Sequence, residues 1–143
     1  ESIDDMITDS DLFLSESKRF GAVTISIGDG GNEMGMGTFR KEVAEHVPCG
    51  EIICAMDGAD ITLASGVSNW WGWGLAALLS LQTGENLLPT EAEETELLHR
   101  VVLAGGVDGC TKENVDTVDN LPLDAHLSLL RGVNKLVNAK LSN

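Results

Sequence analysis

The sequence predicts an α/β fold: a partial sheet, mixed or parallel, with helical cover, as in the second half of a larger α/β domain. Three observations carry that expectation. Apolar residues alternate along "AVTISI" (22–27), the period of a strand. They recur at three- and four-residue spacing in several longer segments, the period of helices. A glycine-rich stretch, "SIGDGGNEMGMG" (Ser26 to Gly37), lies between the first strand and the next helix, where α/β folds gather ligands.

The elements follow in order. "DSDLFLSESKRFG" (9–21) reads as a short helix, with Asp9 or Ser10 as cap, Lys18 and Arg19 in the last turn and Gly21 just past the end. "AVTISI" is the first strand, with Val23, Ile25 and Ile27 on one face. "TFRKEVAEHV" (38–47) is a helix on Phe39, Val43 and Val47, stopped by Pro48. "EIICAM" (51–56) and "DITLAS" (60–65) read as two short buried strands. "SNWWGWGLAALLSLQTG" (68–84) reads as an apolar helix. "PTEAEETELLHRVVLAGG" (89–106) carries a capping box at Thr90 and Glu93 and a buried stripe of Leu97, Leu98, Val101 and Val102. The last helix follows Pro122, with Leu123, Leu127, Leu130, Val133 and Val137 on one face. Three strands are few for an independent sheet, so the architecture reads as incomplete.

The chain has 143 residues, 43% of them hydrophobic, and residues 1–143 read as one domain or half-domain. Its net charge of −14 repels phosphates and anionic lipid heads, which speaks against nucleic-acid and membrane partners. The carboxylates are spread along the chain, as on a solvated surface or one adapted to high salt. Cys49, Cys54 and Cys110 form no C-x-x-C pair, and a reducing, cytoplasmic setting is expected. The run "GLAALLSL" (74–81) is far short of the ~20 residues of a membrane span.

The glycine stretch does not fit a nucleotide loop. Glu33 stands where a dinucleotide fingerprint needs its third glycine, and no Lys follows at the phosphate-loop position. Asp29 and Glu33 would also face phosphate with negative charge. Two carboxylates and an amide within five residues suit a divalent cation better, Mg²⁺ or Mn²⁺, held by Asp29, Asn32 and Glu33. The plainer alternative is a turn in which Asp29 caps the next helix. Ser68 and Asn69 stand at the start of the apolar helix, either as caps or as an N-terminus that binds a substrate carboxylate. Trp70 and Trp73 read as core or interface. Asp57 and Asp60 read as a polar turn, with Asp60 a weaker metal candidate. Asp108 and Asp119 read as turn residues, and His46, His99 and His126 as surface or boundary residues.

"IGDGGNEMGMG" together with "GVSNWWGWGLA" (66–76) resembles the D-glutamate cyclase family. "LLPTEAEETELLHRVVLAGGVDG" and "TVDNLPLDAHLSLLRGV" look like that family's later segments, in the same order. The resemblance implies a lyase that cyclises D-glutamate to 5-oxo-D-proline and water, and it carries fold better than substrate. It implies a small-molecule substrate, an amino acid or dicarboxylate, with Asp29 or Glu33 as general base or metal ligand and Gly30, Gly31, Asn32, Ser68 and Asn69 around it. A metal-dependent hydrolase of a small anion, or a non-catalytic metal- or metabolite-binding half of an assembly, are the alternatives. The chain resembles only the second half of the family's longer domain. The expected partner is therefore the first half as a separate chain or fragment, or further copies in a homo-oligomer.

Overall fold

The computed structural model describes residues 9–142. The chain is a mixed α/β protein whose contacts group into two compact units, Glu1–Ser68 and Asn69–Asn143. Each holds a two-stranded sheet, parallel in the first and antiparallel in the second.

In the first unit, α1 (Asp11–Arg19) ends as expected: Phe20 is the C-cap and Gly21 turns away at φ +71°. Strand β1 (Ile25–Gly28) pairs in parallel with β2 (Ile61–Ala64), from Ile25 opposite Ile61 to Gly28 opposite Ala64. The pair is fastened at its start by a reciprocal lock. Asp60 Oδ2 accepts from the Thr24 backbone N–H (2.8 Å) and hydroxyl (2.7 Å), and the Asp60 N–H donates to Thr24 Oγ1 (3.0 Å). Lys18 Nζ donates to the Gly58 carbonyl just ahead of it.

That lock decides which face of β1 is covered. The alternation read from the sequence is present, but Thr24, Ser26 and Gly28 are buried while Val23 and Ile25 are exposed. Ser26 donates to the Met34 carbonyl at 2.6 Å, so the small polar residues face the returning glycine stretch. Strand β2 is likewise not a buried strand, since Ile61 is exposed.

A short 3-10 turn (Gly37–Phe39) leads into α2 (Arg40–His46), whose buried residue is Val43. Val47 is extended before Pro48, as the proline ring requires. The expected strand "EIICAM" is instead opened by a helical turn, α3 (Gly50–Ile53). Cys49 adopts a left-handed backbone (φ 58°), and Gly50 sits so close to α2 that a Cβ there would lie 1.9 Å from the Val43 carbonyl oxygen. This forced approach bends the chain into a turn and leaves Ile52 and Ile53 exposed. A five-residue apolar run, Ile52 to Met56, has no period that separates strand from helix.

The second unit is built on α4 (Ser68–Thr83), α5 (Glu91–Leu103) and α6 (Leu123–Leu141), the first of which begins at the last residue of the first unit. Trp73, Leu88, Leu130 and Val137 form its core, with Trp70, Ala76, Ala77, Leu127 and Val133 packed against them. The capping box closes as expected: Thr90 Oγ1 accepts the Glu93 N–H (3.2 Å), and Glu93 Oε2 accepts the Thr90 N–H (2.8 Å). The predicted α5 stripe is only half covered, with Leu98 and Val102 half-buried and Leu97 and Val101 exposed. Arg131 grips Glu91 through two bonds (2.9 and 2.6 Å) and ties α6 to α5. Strands β3 (Thr117–Val118) and β4 (Leu121–Pro122) form a hairpin. Its two-residue turn, Asp119–Asn120, has both φ angles positive (51° and 62°), the pairing that fits a tight hairpin. Among the described residues no helix is long and apolar enough to cross a membrane.

Candidate functional site

The glycine stretch leaves β1 at its C-terminal end and folds around its own glutamate. Glu33 turns its carboxylate back onto three backbone donors. Oε1 accepts from Asp29 N–H (2.9 Å) and Gly30 N–H (2.8 Å), and Oε2 from Gly31 N–H (2.8 Å). Successive N–H groups converging on one anion form a nest, and here the anion is the loop's own side chain. Two glycines make this geometry accessible. A Cβ at Gly28 would lie 2.5 Å from Glu33 Oε2. At Gly31 the φ is +84°, and a Cβ would lie 2.3 Å from Val43 Cγ2 on α2. Partial burial pushes the Glu33 carboxyl up, but the backbone N–H donors, those of Gly30 and Asp29 foremost, outweigh it and hold the group below its ordinary value.

Asp29 stands beside this nest, its backbone N–H given to Glu33 Oε1. Its Oδ2 accepts the backbone N–H of Ser68 at 2.9 Å. Ser68 opens α4, so the anion at that helix start is Asp29, the plainer of the two roles expected for it, although the helix is not the next one in sequence. The Ser68 N–H expected to greet a substrate carboxylate is therefore already engaged. Asn69 is exposed at the start of the second unit. Gly30 and Gly31 give their N–H groups to Glu33 rather than to a ligand.

The rest of the stretch runs back along residues 55–59. Gly31 accepts from Ala55 N–H (3.0 Å), Gly37 N–H donates to Asp57 (3.0 Å), Gly35 accepts from Ala59 N–H (2.9 Å), and Met36 bridges Gly58. Asn32 and Asp57 line a cavity of about 240 Å³ in the first unit, with Asp11, Met34 and Cys54.

Asp60 does not join this group. It sits at the N-terminal end of the parallel pair, level with Thr24, whereas Asp29 follows the C-terminal end, five positions further along. At ~3.3 Å per residue that separation is roughly 16 Å, and its carboxylate is committed to Thr24. The expected cation set of Asp29, Asn32 and Glu33 is also narrower than its spacing implied. A carboxylate offers about four lone-pair sites, and Glu33 gives three to its own loop. Asp29 and the exposed Asn32 are what remains. Among the described residues no group of three or more His, Cys, Asp or Glu side chains is placed to hold a metal ion.

Two polar residues of the second unit differ from their sequence reading. His126, expected at the surface or boundary, is 3% exposed. Its Nδ1 accepts the Trp70 indole N–H at 3.1 Å, and its Nε2 lies 3.2 Å from the Val118 carbonyl, which defines a neutral ring protonated at Nε2. The signal was present in its spacing, since His126 lies three residues after Leu123 and four before Leu130, on the apolar face. Asp108 is a turn residue as read, but a buried one: it accepts from Thr117 (2.6 Å), Cys110 (2.7 Å), Asn120 (2.9 Å) and Thr111 (3.1 Å). Those donors, led by the Thr117 hydroxyl, pull its carboxyl well below the usual range.

Comparison with known proteins places these features in a family. Residues 1–134 match the family model described as "D-glutamate cyclase-like, C-terminal". Over 69 residues, 48% of this chain, the sequence is 44% identical to the Homo sapiens protein named "D-glutamate cyclase, mitochondrial". The matched segment spans 11% of that human protein's length. With its glycine stretch and its later helices both inside the matched region, the chain belongs to the D-glutamate cyclase-like family, in its C-terminal part.

Proposed function

We propose that this chain serves a lyase that closes a small amino acid on itself, with D-glutamate giving 5-oxo-D-proline and water. Family membership and the name of the human relative support the substrate class. The structural observation that carries the reading is the exposed Asp29 carboxylate in a loop that the Glu33 nest braces at the C-terminal end of β1. Ring closure joins the α-nitrogen to the γ-carboxylate carbon, breaks the bond to one γ-oxygen, and releases that oxygen as water with the two protons lost by the α-ammonium group. The nitrogen needs a proton acceptor to attack, and the exposed Asp29 carboxylate is the acceptor in this reading. Glu33 holds the loop and, with it, Asp29.

A divalent cation, Mg²⁺ or Mn²⁺, is the second part of the proposal. Asp29 and Asn32 would hold it, Asp29 then serving as ligand in place of base, and it would supply Lewis-acid stabilisation and offset the repulsion between an acidic protein and a dicarboxylate. Calorimetric titration with Mn²⁺ tests this part without reference to turnover. Equal affinity in wild type and Asp29→Ala removes the cation from the proposal.

The reaction itself is tested by following 5-oxoproline from D- and L-glutamate by chiral chromatography. Turnover of the D-isomer is expected, with a loss of roughly 10²-fold or more in Asp29→Asn. No product from either isomer, or an unimpaired Asp29→Asn, overturns it. One observation favours a second reading, a binding half without chemistry of its own: most of the acceptor capacity in the loop is engaged by backbone. Calorimetric binding of D-glutamate without turnover is its signature.

A further inference from the structure

We propose that Ser65 is a positioning residue for ring closure: its hydroxyl aims the Ser68 N–H that holds the Asp29 carboxylate. The role rests on the reading of Asp29 as proton acceptor, and every bond that carries it lies within the first unit. Ser65 directly follows β2. Its N–H donates to the Gly28 carbonyl at 3.1 Å, which carries the parallel ladder one step past Ala64. Gly28 precedes Asp29, and Ser65 stands three residues before Ser68. One backbone bond therefore sets the two partners side by side.

The Ser65 hydroxyl gives that approach its direction. It accepts the Val67 N–H at 3.2 Å and donates to the Val67 carbonyl at 2.7 Å, so one oxygen holds both polar groups of one residue. Val67 is 2% exposed, which pins the turn from its apolar side. The Val67 carbonyl and the Ser68 N–H belong to the same peptide unit. That unit is planar and trans, so the two groups point in opposite directions. Holding the carbonyl on Ser65 thus fixes the direction of the N–H, and the Ser68 N–H meets Asp29 Oδ2 at 2.9 Å. A hydroxyl both donates and accepts, as this turn requires; an alanine there would do neither.

Asp29 is exposed, and an exposed aspartate otherwise samples several side-chain rotamers. Glu33 braces its backbone through the Asp29 N–H, and the Ser65 turn braces its carboxylate. A proton acceptor works only within reach of the nitrogen, and a misplacement of about 1 Å costs up to ~10²-fold in rate. The effect falls on the chemical step rather than on affinity for substrate.

Two measurements on the full chain test the proposal. The first follows the Ser68 amide by ¹⁵N NMR and hydrogen exchange, and needs no turnover. Ser65→Ala should shift its resonance in the direction that Asp29→Ala does and speed its exchange ~10-fold or more, with Ser65→Thr close to wild type. An amide indifferent to Ser65→Ala overturns the proposal. The second follows 5-oxoproline formed from D-glutamate. Ser65→Ala should lower kcat roughly 10-fold or more with KM within about twofold, and Ser65→Thr, which keeps the hydroxyl, should restore kcat. Ser68→Pro removes the donor itself at the first position of a helix, where proline is accepted. It should lower kcat as Ser65→Ala does, and it keeps the test decisive where Ser65→Ala does not fold. A raised KM with kcat unchanged, or Ser65→Thr as impaired as Ser65→Ala, overturns the role. No product from wild type overturns the lyase reading instead, while a Ser68 amide released by Ser65→Ala still establishes that Ser65 positions Asp29.

Discussion

Replacing Glu33 by Gln tests whether the glycine stretch is held by its own carboxylate. The change keeps shape and removes charge and one acceptor. In the native loop Glu33 accepts three backbone N–H groups at 2.8–2.9 Å. The amide oxygen of Gln can serve Asp29 and Gly30, but its NH₂ then faces the Gly31 N–H, donor against donor. One charge-assisted bond is lost, worth about 1.5–3 kcal/mol, and two are weakened. The loop is partly open to solvent, which screens the charge, so the expected net loss is ~2 kcal/mol. For a chain of this size that lowers the melting temperature by roughly 4–8 °C.

The pH dependence carries a definite sign. The Glu33 carboxyl is lowered in the folded chain from an ordinary value of 4.5. Its stabilisation is therefore complete above that value and is lost as pH falls through the lower folded value. Urea denaturation of wild type and Glu33→Gln at pH 7 and at successively lower pH is the assay. The gap between the two should be widest at neutral pH and close on the acid side. An unchanged midpoint at pH 7, or a gap that does not vary with pH, refutes the reasoning.

Two further outcomes are expected. Trp70→Phe leaves His126 Nδ1 buried without its donor and should cost roughly 1–3 kcal/mol in urea titration, while a wild-type midpoint would show that the bond contributes nothing. The net charge of −14 should make the melting temperature rise with salt as the screening length falls from ~30 Å at 0.01 M to ~3 Å at 1 M, and a flat melting profile would remove self-repulsion from the account.

Much of the local structure was legible because local interactions create it. The capping box at Thr90 and Glu93 needs only residues three apart, and it forms in the structure. The stripe of α6 delivers Leu130 and Val137 to the core because 3.6-residue periodicity is a property of the helix itself. The glycine stretch could be singled out because its residue types are unusual together, and Glu33 does gather the Asp29, Gly30 and Gly31 N–H groups there.

What only the tertiary structure decided is how those groups are used. The sequence determined that β1 alternates, but the Thr24–Asp60 lock and the Ser26–Met34 bond chose its polar face for burial. It marked Glu33 as an oxygen donor set, but the backbone path of its own loop turned the carboxylate inward onto three N–H groups. It could not separate strand from helix at Gly50–Ile53, where the distance from Gly50 to the Val43 carbonyl settles the matter. In each case the deciding partner lies two to tens of residues away along the chain. Periodicity and residue type set what a segment can form and which atoms it can offer. Which donor meets which acceptor depends on where the backbone brings them, and that is fixed only when the chain has folded.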